Sequence, residues 1–177
     1  MDSKEQAQIL ALLEESQAAL ILALDDVSPE TAVRTPAPGC WTILGCVEHL
    51  AVTEDYLFSQ IAAAKVSATP LINPEREARM LARGADRTRR IESPPEGHPK
   101  GIFPTLPSAL AHFLASRKRT MDFVAANHDD LRTRMTWHPI LADANVHEML
   151  ISIGVHCLRH VHQIEEIKAA VAAPGWL

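Results

Sequence analysis

The sequence predicts an all-α protein, a four-helix bundle with a long crossover between its second and third long helices. Three observations lead there. Apolar residues recur at helical spacing in four stretches of roughly 20 to 28 residues. No run alternates convincingly with period two, and the Asn-Gly and Asp-Gly hairpin dipeptides are missing. Proline, glycine and capping residues separate the four stretches. At 177 residues the chain suits a single domain, residues 1–177, long enough to bury a core without staples.

The first helix opens with a capping box, Ser3-Lys4-Glu5-Gln6, and carries Ile9, Leu12, Leu13, Leu20 and Leu24 as its apolar stripe. Ser28-Pro29-Glu30 reads as a second start, cut short by Pro36, Pro38 and Gly39. The second long helix starts at Thr42 and runs to about Lys65, with Val47, Leu50, Leu57, Phe58 and Ile61 on its apolar side. Gly45 in its first turn is less favourable than a helix former by about 0.8–1 kcal/mol. Residues 66–105 are proline-bearing and charged, with a short surface helix expected over Pro74 to Arg83. A connection this long is either a solvated crossover or a lid. Its arginines, Arg76, Arg79, Arg83, Arg87, Arg89 and Arg90, are interleaved with Glu75, Glu77, Asp86 and Glu92, the pattern of a solvated face. The third long helix follows Pro107-Ser108 and uses Leu110, Phe113, Leu114, Met121 and Val124. The fourth is capped by Asn145-Val146-His147-Glu148 and can continue to Ala173, where Pro174-Gly175 stops it.

Composition narrows the function. A formal net charge of −5 offers no basic field for a polyanion, so nucleic acid is not an expected partner. The longest apolar run, Ala18 to Leu24, falls short of the ~20 residues a bilayer requires, and the N-terminus lacks a signal-peptide pattern. Three cysteines without a C-x-x-C indicate a reducing compartment. The expected setting is cytoplasmic, with no membrane partner.

Nine histidines are the compositional anomaly. At about 100° per residue, His156 and His160 lie about 40° apart on one helix face, with Cβ atoms about 5–6 Å apart. Met149, Ile153, Ile164 and Ile167 extend that face, so the pair points inward, while His147 and His162 are expected in solvent. Each buried nitrogen left unpaired would cost of order 1–3 kcal/mol, and one divalent ion at about 2.0–2.1 Å would satisfy both rings. His49, beside the core stripe of the second long helix, is the strongest candidate third ligand. The bland alternative is a hydrogen-bonded core pair without metal. His98, His112, His128 and His138 are expected at the surface or in loops, and Cys46 and Cys157 as buried core thiols.

Other metal motifs fail. No Glu has a His three residues later, as a di-iron bundle needs, and H-E-x-x-H begins at His147-Glu148 but meets Ile151. The zinc-deaminase, phosphate-loop and G-x-S-x-G patterns do not occur.

Three motifs in order, Gly39-Cys40-Trp41-Thr42 leading to Glu48-His49-Leu50, then Trp137-His138-Pro139, then His156-Cys157-Leu158-Arg159-His160-Val161-His162-Gln163-Ile164, resemble the DinB-like family of bacterial four-helix proteins. That group includes the YfiT-type metal-dependent hydrolases. The resemblance runs from the first helix to about Ile167. It implies an up-up-down-down type bundle, a homodimer, and a divalent metal (Zn, Ni or Fe) held by His49, His156 and His160. Some relatives use a low-molecular-weight thiol to conjugate or isomerise a small-molecule substrate. The glycine that the family carries after His-Pro-x-x is Ala142 here, so that loop is expected to differ.

An ion with open coordination lowers the pKa of bound water toward about 7 or holds a thiolate. The expected function is a metal-dependent enzyme of thiol-dependent S-transferase or hydrolase type. The alternatives are a non-catalytic metal or small-ligand binder and a metal-free structural bundle. No catalytic residue is assigned. Glu48 points about 100° away from His49 and is a weak base candidate. Gln163, one turn beyond His160, either hydrogen-bonds a ligand ring or fills a polar gap. Trp41 and Trp137 are expected to anchor bundle ends or to border the metal.

Overall fold

The computed structural model describes residues 2–88, 91, 93 and 95–172. The expected features at Arg89, Arg90, Glu92, Ala173 and Pro174-Gly175 lie outside them. Four long helices form the bundle: α1 (Ser3–Leu24), α3 (Ile43–Ala63), α5 (Leu106–Ala126) and α6 (Val146–Ala172). Two short helices, α2 (Pro29–Ala32) and α4 (Pro74–Arg83), lie in the connections. The α1 cap falls one residue early: Asp2, not Ser3, accepts from the Glu5 amide at 2.8 Å, and Glu5 closes the box. A carboxylate there satisfies the same free amides and adds favourable charge at the helix N-terminus. Gln6 instead donates to the Val124 and Ala125 carbonyls at the end of α5. Thr42 and Asn145 cap where expected, Thr42 holding the Gly45 amide and Asn145 exchanging hydrogen bonds with Glu148. Helix α5, in contrast, starts earlier than expected: Thr105 is its cap, and Pro107 and Ser108 lie inside the first turn, where proline's missing amide hydrogen costs nothing.

Helix α1 packs on α5 and α6, and α3 packs on the same two, so α1 and α3 face each other across the diagonal. Two apolar clusters fill the interior. One gathers Leu20, Val47, Leu50, Phe113 and Ile164; the other gathers Leu13, Leu57, Val124, Met149 and Leu150. Buried polar side chains of Ser16, Glu54, Arg117 and Thr120, joined by hydrogen bonds, also lie inside the bundle. Among the described residues α1 is the one helix long and apolar enough to cross a membrane, a test that core helices also pass. Its Ile9, Leu13, Leu20 and Leu24 are packed in the bundle core.

The crossover is docked along α6 rather than solvated throughout. Arg76 pairs with the buried Glu148, Arg87 grips Glu166 through two hydrogen bonds of 2.8 Å, and Arg159 donates to the Asp86 carbonyl. Gly84 permits this approach, since a Cβ there would lie 2.4 Å from Val155 Cγ2. His147, expected in solvent, is buried because α4 and the 3-10 turn Leu131–Thr133 bring Glu77 and Arg132 against it. A helical wheel drawn for α6 alone carries no record of that cover.

The chain also forms a small antiparallel sheet that periodicity did not predict. It comprises β1 (Lys65–Val66), β2 (Arg134–His138) and β3 (Ala142–Asn145), in that order. Strands this short are set by pairing, Met135 with Asn145 and His138 with Ala142, and carry too few residues to show alternation. Ala142, the first residue of β3 after the three-residue loop Pro139-Ile140-Leu141, has φ of 58°, in the left-handed region. An L side chain is strained there. Ala142→Gly should therefore stabilise the protein by about 0.5–1 kcal/mol in urea unfolding. A loss of stability would show that the strain is absent.

His138, expected at the surface, is buried beneath this hairpin. The Ile140 and Leu141 amides donate to its Nδ1 at 3.0 and 3.1 Å, so the proton sits on Nε2, facing Ser152 Oγ. Burial, with the Arg76 charge nearby, pushes its pKa down to about 4. The folded value lies below the unfolded one, so this stability is complete above pH ~6.5 and lost as pH falls toward 4. Between pH 7 and pH 5 the loss should be about 2 kcal/mol. Urea unfolding at both pH values should show His138→Gln with a pH dependence flatter by that amount; an equal slope would sink the assignment.

Candidate metal centre

Helices α3 and α6 pack together, and this contact brings His49 to the pair His156 and His160. His156 Nε2 lies 3.0 Å from His49 Nε2 and 3.1 Å from His160 Nε2. All three ligand atoms fall within 4.8 Å of one another. His49 and His160 are buried and His156 is partly buried. Trp41 walls one side, its ring 4.8 Å from that of His49 and stacked on His160 at 5.9 Å. Trp137, in contrast, is exposed on β2.

Hydrogen bonding sets the tautomer of His49. Its Nδ1 lies 2.5 Å from the Gly97 carbonyl oxygen, which can only accept, so Nδ1 carries the proton and Nε2 presents a lone pair. Thr53 Oγ1 stands 3.3 Å from the same Nδ1. The single Nε2 proton of a neutral His156 cannot serve both neighbouring nitrogens. His160 Nδ1 is buried without a hydrogen-bond partner among the described residues. Three neutral rings therefore cannot satisfy one another, whereas three lone pairs can all be directed to a common cation. Nitrogens at 2.0–2.1 Å from a tetrahedral ion sit about 3.3 Å apart, close to the separations from His156. The donor set fits a divalent metal.

Burial, reinforced by the mutual repulsion of the rings, holds His156 and His160 well below the ordinary imidazole pKa. His49 is also lowered, chiefly by burial, against the opposing effect of the Gly97 hydrogen bond. The three rings are thus neutral at pH 7, the form that ligates.

Other expected participants take different positions. Gln163 accepts from Arg87 Nη1 at 3.2 Å, which ties it to the crossover. Glu48 accepts from three backbone amides, so its carboxylate is already occupied. Burial pushes the Cys46 thiol up to about 12 and the Cys157 thiol to about 11, so neither supplies a thiolate at neutral pH. Gly97 was not anticipated: it ends the short 3-10 turn Pro95–Gly97, far from His49 in sequence, and its contribution is a backbone carbonyl. A glycine allows the close approach, since a Cβ there would meet Ser93 Oγ at 2.7 Å and His49 Cε1 at 3.3 Å.

Comparison with known proteins adds the family and the fold. The DinB superfamily model matches residues 12–164. Among solved structures, YfiT from Bacillus subtilis aligns with a TM-score of 0.60 over 100% of this chain and 91% of that one, at 17% identity. At that identity the likeness is one of fold. YfiT is described as a probable metal-dependent hydrolase with an unusual four-helix bundle topology. No curated protein matches the sequence.

Proposed function

This chain belongs to the DinB superfamily, and from that premise we propose that it is a metal-dependent enzyme of hydrolase or thiol-dependent transferase type, with His49, His156 and His160 as the metal ligands. The observation that carries the reading is the convergence of three Nε2 atoms that cannot satisfy one another by hydrogen bonding. A divalent ion held there supplies Lewis acidity, which lowers the pKa of a water or thiol that it binds.

The chain's own residues prepare that position. Gly97 holds the His49 ring with its Nε2 lone pair free, as carbonyl partners do for metal-binding histidines. Trp41 covers His49 and His160 with an apolar face that excludes water from one side. The substrate is taken to be a small molecule, and the working form a homodimer in a reducing cytoplasm. The description of YfiT as metal-dependent supports the hydrolase arm.

The test begins with metal-free protein reconstituted with Zn, Ni or Fe, followed by metal analysis after desalting. About one equivalent per chain is expected. Reconstituted protein is then offered activated esters and amides, and separately a low-molecular-weight thiol with electrophiles. Turnover above that of free metal in either panel supports the enzyme. Uptake without turnover in both panels would make the protein a binder instead, and no uptake would end the reading.

A further inference from the structure

We infer that Glu48 is a positioning residue for the metal centre, acting through the backbone of residues 97–102 to hold the His49 ring in its ligating tautomer. The inference rests on the metal reading of the site but concerns a residue that takes no part in ligation.

Glu48 is a carboxylate on α3 with 2% exposure, adjacent to His49 in sequence and facing another way. Its Oε1 accepts from the Lys100 amide at 2.5 Å and the Gly101 amide at 3.0 Å, and its Oε2 accepts from the Ile102 amide at 3.2 Å. Three consecutive backbone donors on one carboxylate form an anion nest, and Gly101, with φ of 71°, supplies the left-handed residue that this turn uses. Three residues before the nest, Gly97 places its carbonyl on His49 Nδ1. One segment is therefore pinned at one end by Glu48 and at the other holds the ring of the next residue. His98, also in this segment, packs edge-on against Trp41 at 5.8 Å, so the same stretch sets the wall of the site.

Gly97 ends a single 3-10 turn, Pro95–Gly97, closed by the His98 amide on the Pro95 carbonyl, and that one bond leaves the Gly97 carbonyl itself outside any helix or sheet ladder. The turn and the His98 contact to the Ser93 carbonyl shape the segment, while Glu48 ties it to α3. Without that tie the Gly97 oxygen would shift off His49, and the ring could protonate Nε2 and lose its lone pair. Glutamine cannot substitute, because its amide nitrogen would face a backbone N–H. Hydrogen-bond partners of ligating histidines typically contribute 10–100-fold in metal affinity, and Glu48 would act through such a partner.

The test uses full-length protein and two variants, Glu48→Gln and Gly97→Ala, which disturb the relay from opposite ends. Zn(II) affinity is measured by chelator competition, and the His49 ring nitrogens are read by 15N NMR on metal-free protein. Wild type should show one protonated and one bare nitrogen at His49. Both variants should show averaged tautomers and a dissociation constant raised about 10–100-fold. Folded variants that retain the wild-type His49 pattern and affinity would overturn the inference, as would lowered stability with an unchanged tautomer. If Glu48→Gln does not fold, Glu48→Asp, which keeps the charge but shortens the reach to the amides, reads the same end, and an unchanged His49 tautomer and affinity in it overturn the inference. Failure of wild type to bind Zn(II) would instead count against the metal reading, while the metal-free NMR still decides the relay.

Discussion

Arg117→Ala should destabilise the protein by about 3–5 kcal/mol, among the largest losses available from one side chain. Arg117 is fully buried in the bundle. Its Nε donates to both Glu54 oxygens at 2.8 and 3.1 Å, and its Nη2 donates to Oε2 at 2.9 Å. Nη1 reaches the Leu13 carbonyl and Ser16 Oγ, both at 2.7 Å, so the guanidinium links α5 to α1 as well as α3. Among the described residues, truncation would strand a buried carboxylate with only Thr120 Oγ1 as a remaining donor. The penalty is then the desolvation of an unpaired charge rather than the value of the pair. Replacing both partners together, as Glu54→Leu with Arg117→Met, should recover most of the loss, because an apolar pair needs no compensation. Arg117→Lys should recover little, since one ammonium cannot span the carboxylate, the carbonyl and the hydroxyl. Urea unfolding followed by circular dichroism checks the series. A loss below about 1 kcal/mol for Arg117→Ala would show that Glu54 finds other partners.

The same pair shows where sequence reading stops. Helix periodicity marks Leu50, Leu57, Phe113 and Val124 as inward, and all four are buried, because apolar spacing is a local property. Thr42 and Asn145 were legible as caps for the same reason, and so was the one-turn spacing of His156 and His160. Glu54 and Arg117, by contrast, read as two charges on two helices. Only the packing of α3 against α5 turns them inward together, and nothing within either helix records the partner. The meeting of His49 with the α6 pair has the same character: the sequence made it a candidate, and tertiary packing brought it into contact. Glu48 and Gly97 were less legible still. Glu48 binds backbone amides and Gly97 offers a carbonyl, groups that every residue carries and no side-chain pattern reports. The β2–β3 hairpin escaped because its loop, Pro139-Ile140-Leu141, holds none of the usual turn residues but proline, and its left-handed residue is Ala142, where the recognisable signal would be glycine.

His156→Leu should give two opposite results, and their combination is the signature of a metal centre. His156 has Leu50, Leu57 and Ile153 around it, beside Glu54, so a leucine of similar size meets mostly apolar neighbours. In metal-free protein the substitution removes the ring whose Nε2 stands between two others. It should leave stability equal to wild type or raise it by about 1 kcal/mol, since an imperfectly satisfied buried polar group is lost. In the presence of Zn(II) the order should reverse. A folded-state ligand at 100 times its dissociation constant adds about 2.7 kcal/mol to wild type. Loss of one ligand of three should weaken binding about 100–1,000-fold, taking a rough 3–4 kcal/mol per ligand from structural zinc sites. At the same Zn(II) concentration the variant should therefore gain less than about 0.5 kcal/mol. Thermal unfolding of both proteins, with chelator and with Zn(II), measures all four states. A purely structural histidine cluster predicts a different pattern: His156→Leu would shift stability equally with and without metal, and chelator would leave wild type unchanged. The sign reversal separates the two because only a metal centre keeps three inward imidazoles at a cost to the empty fold.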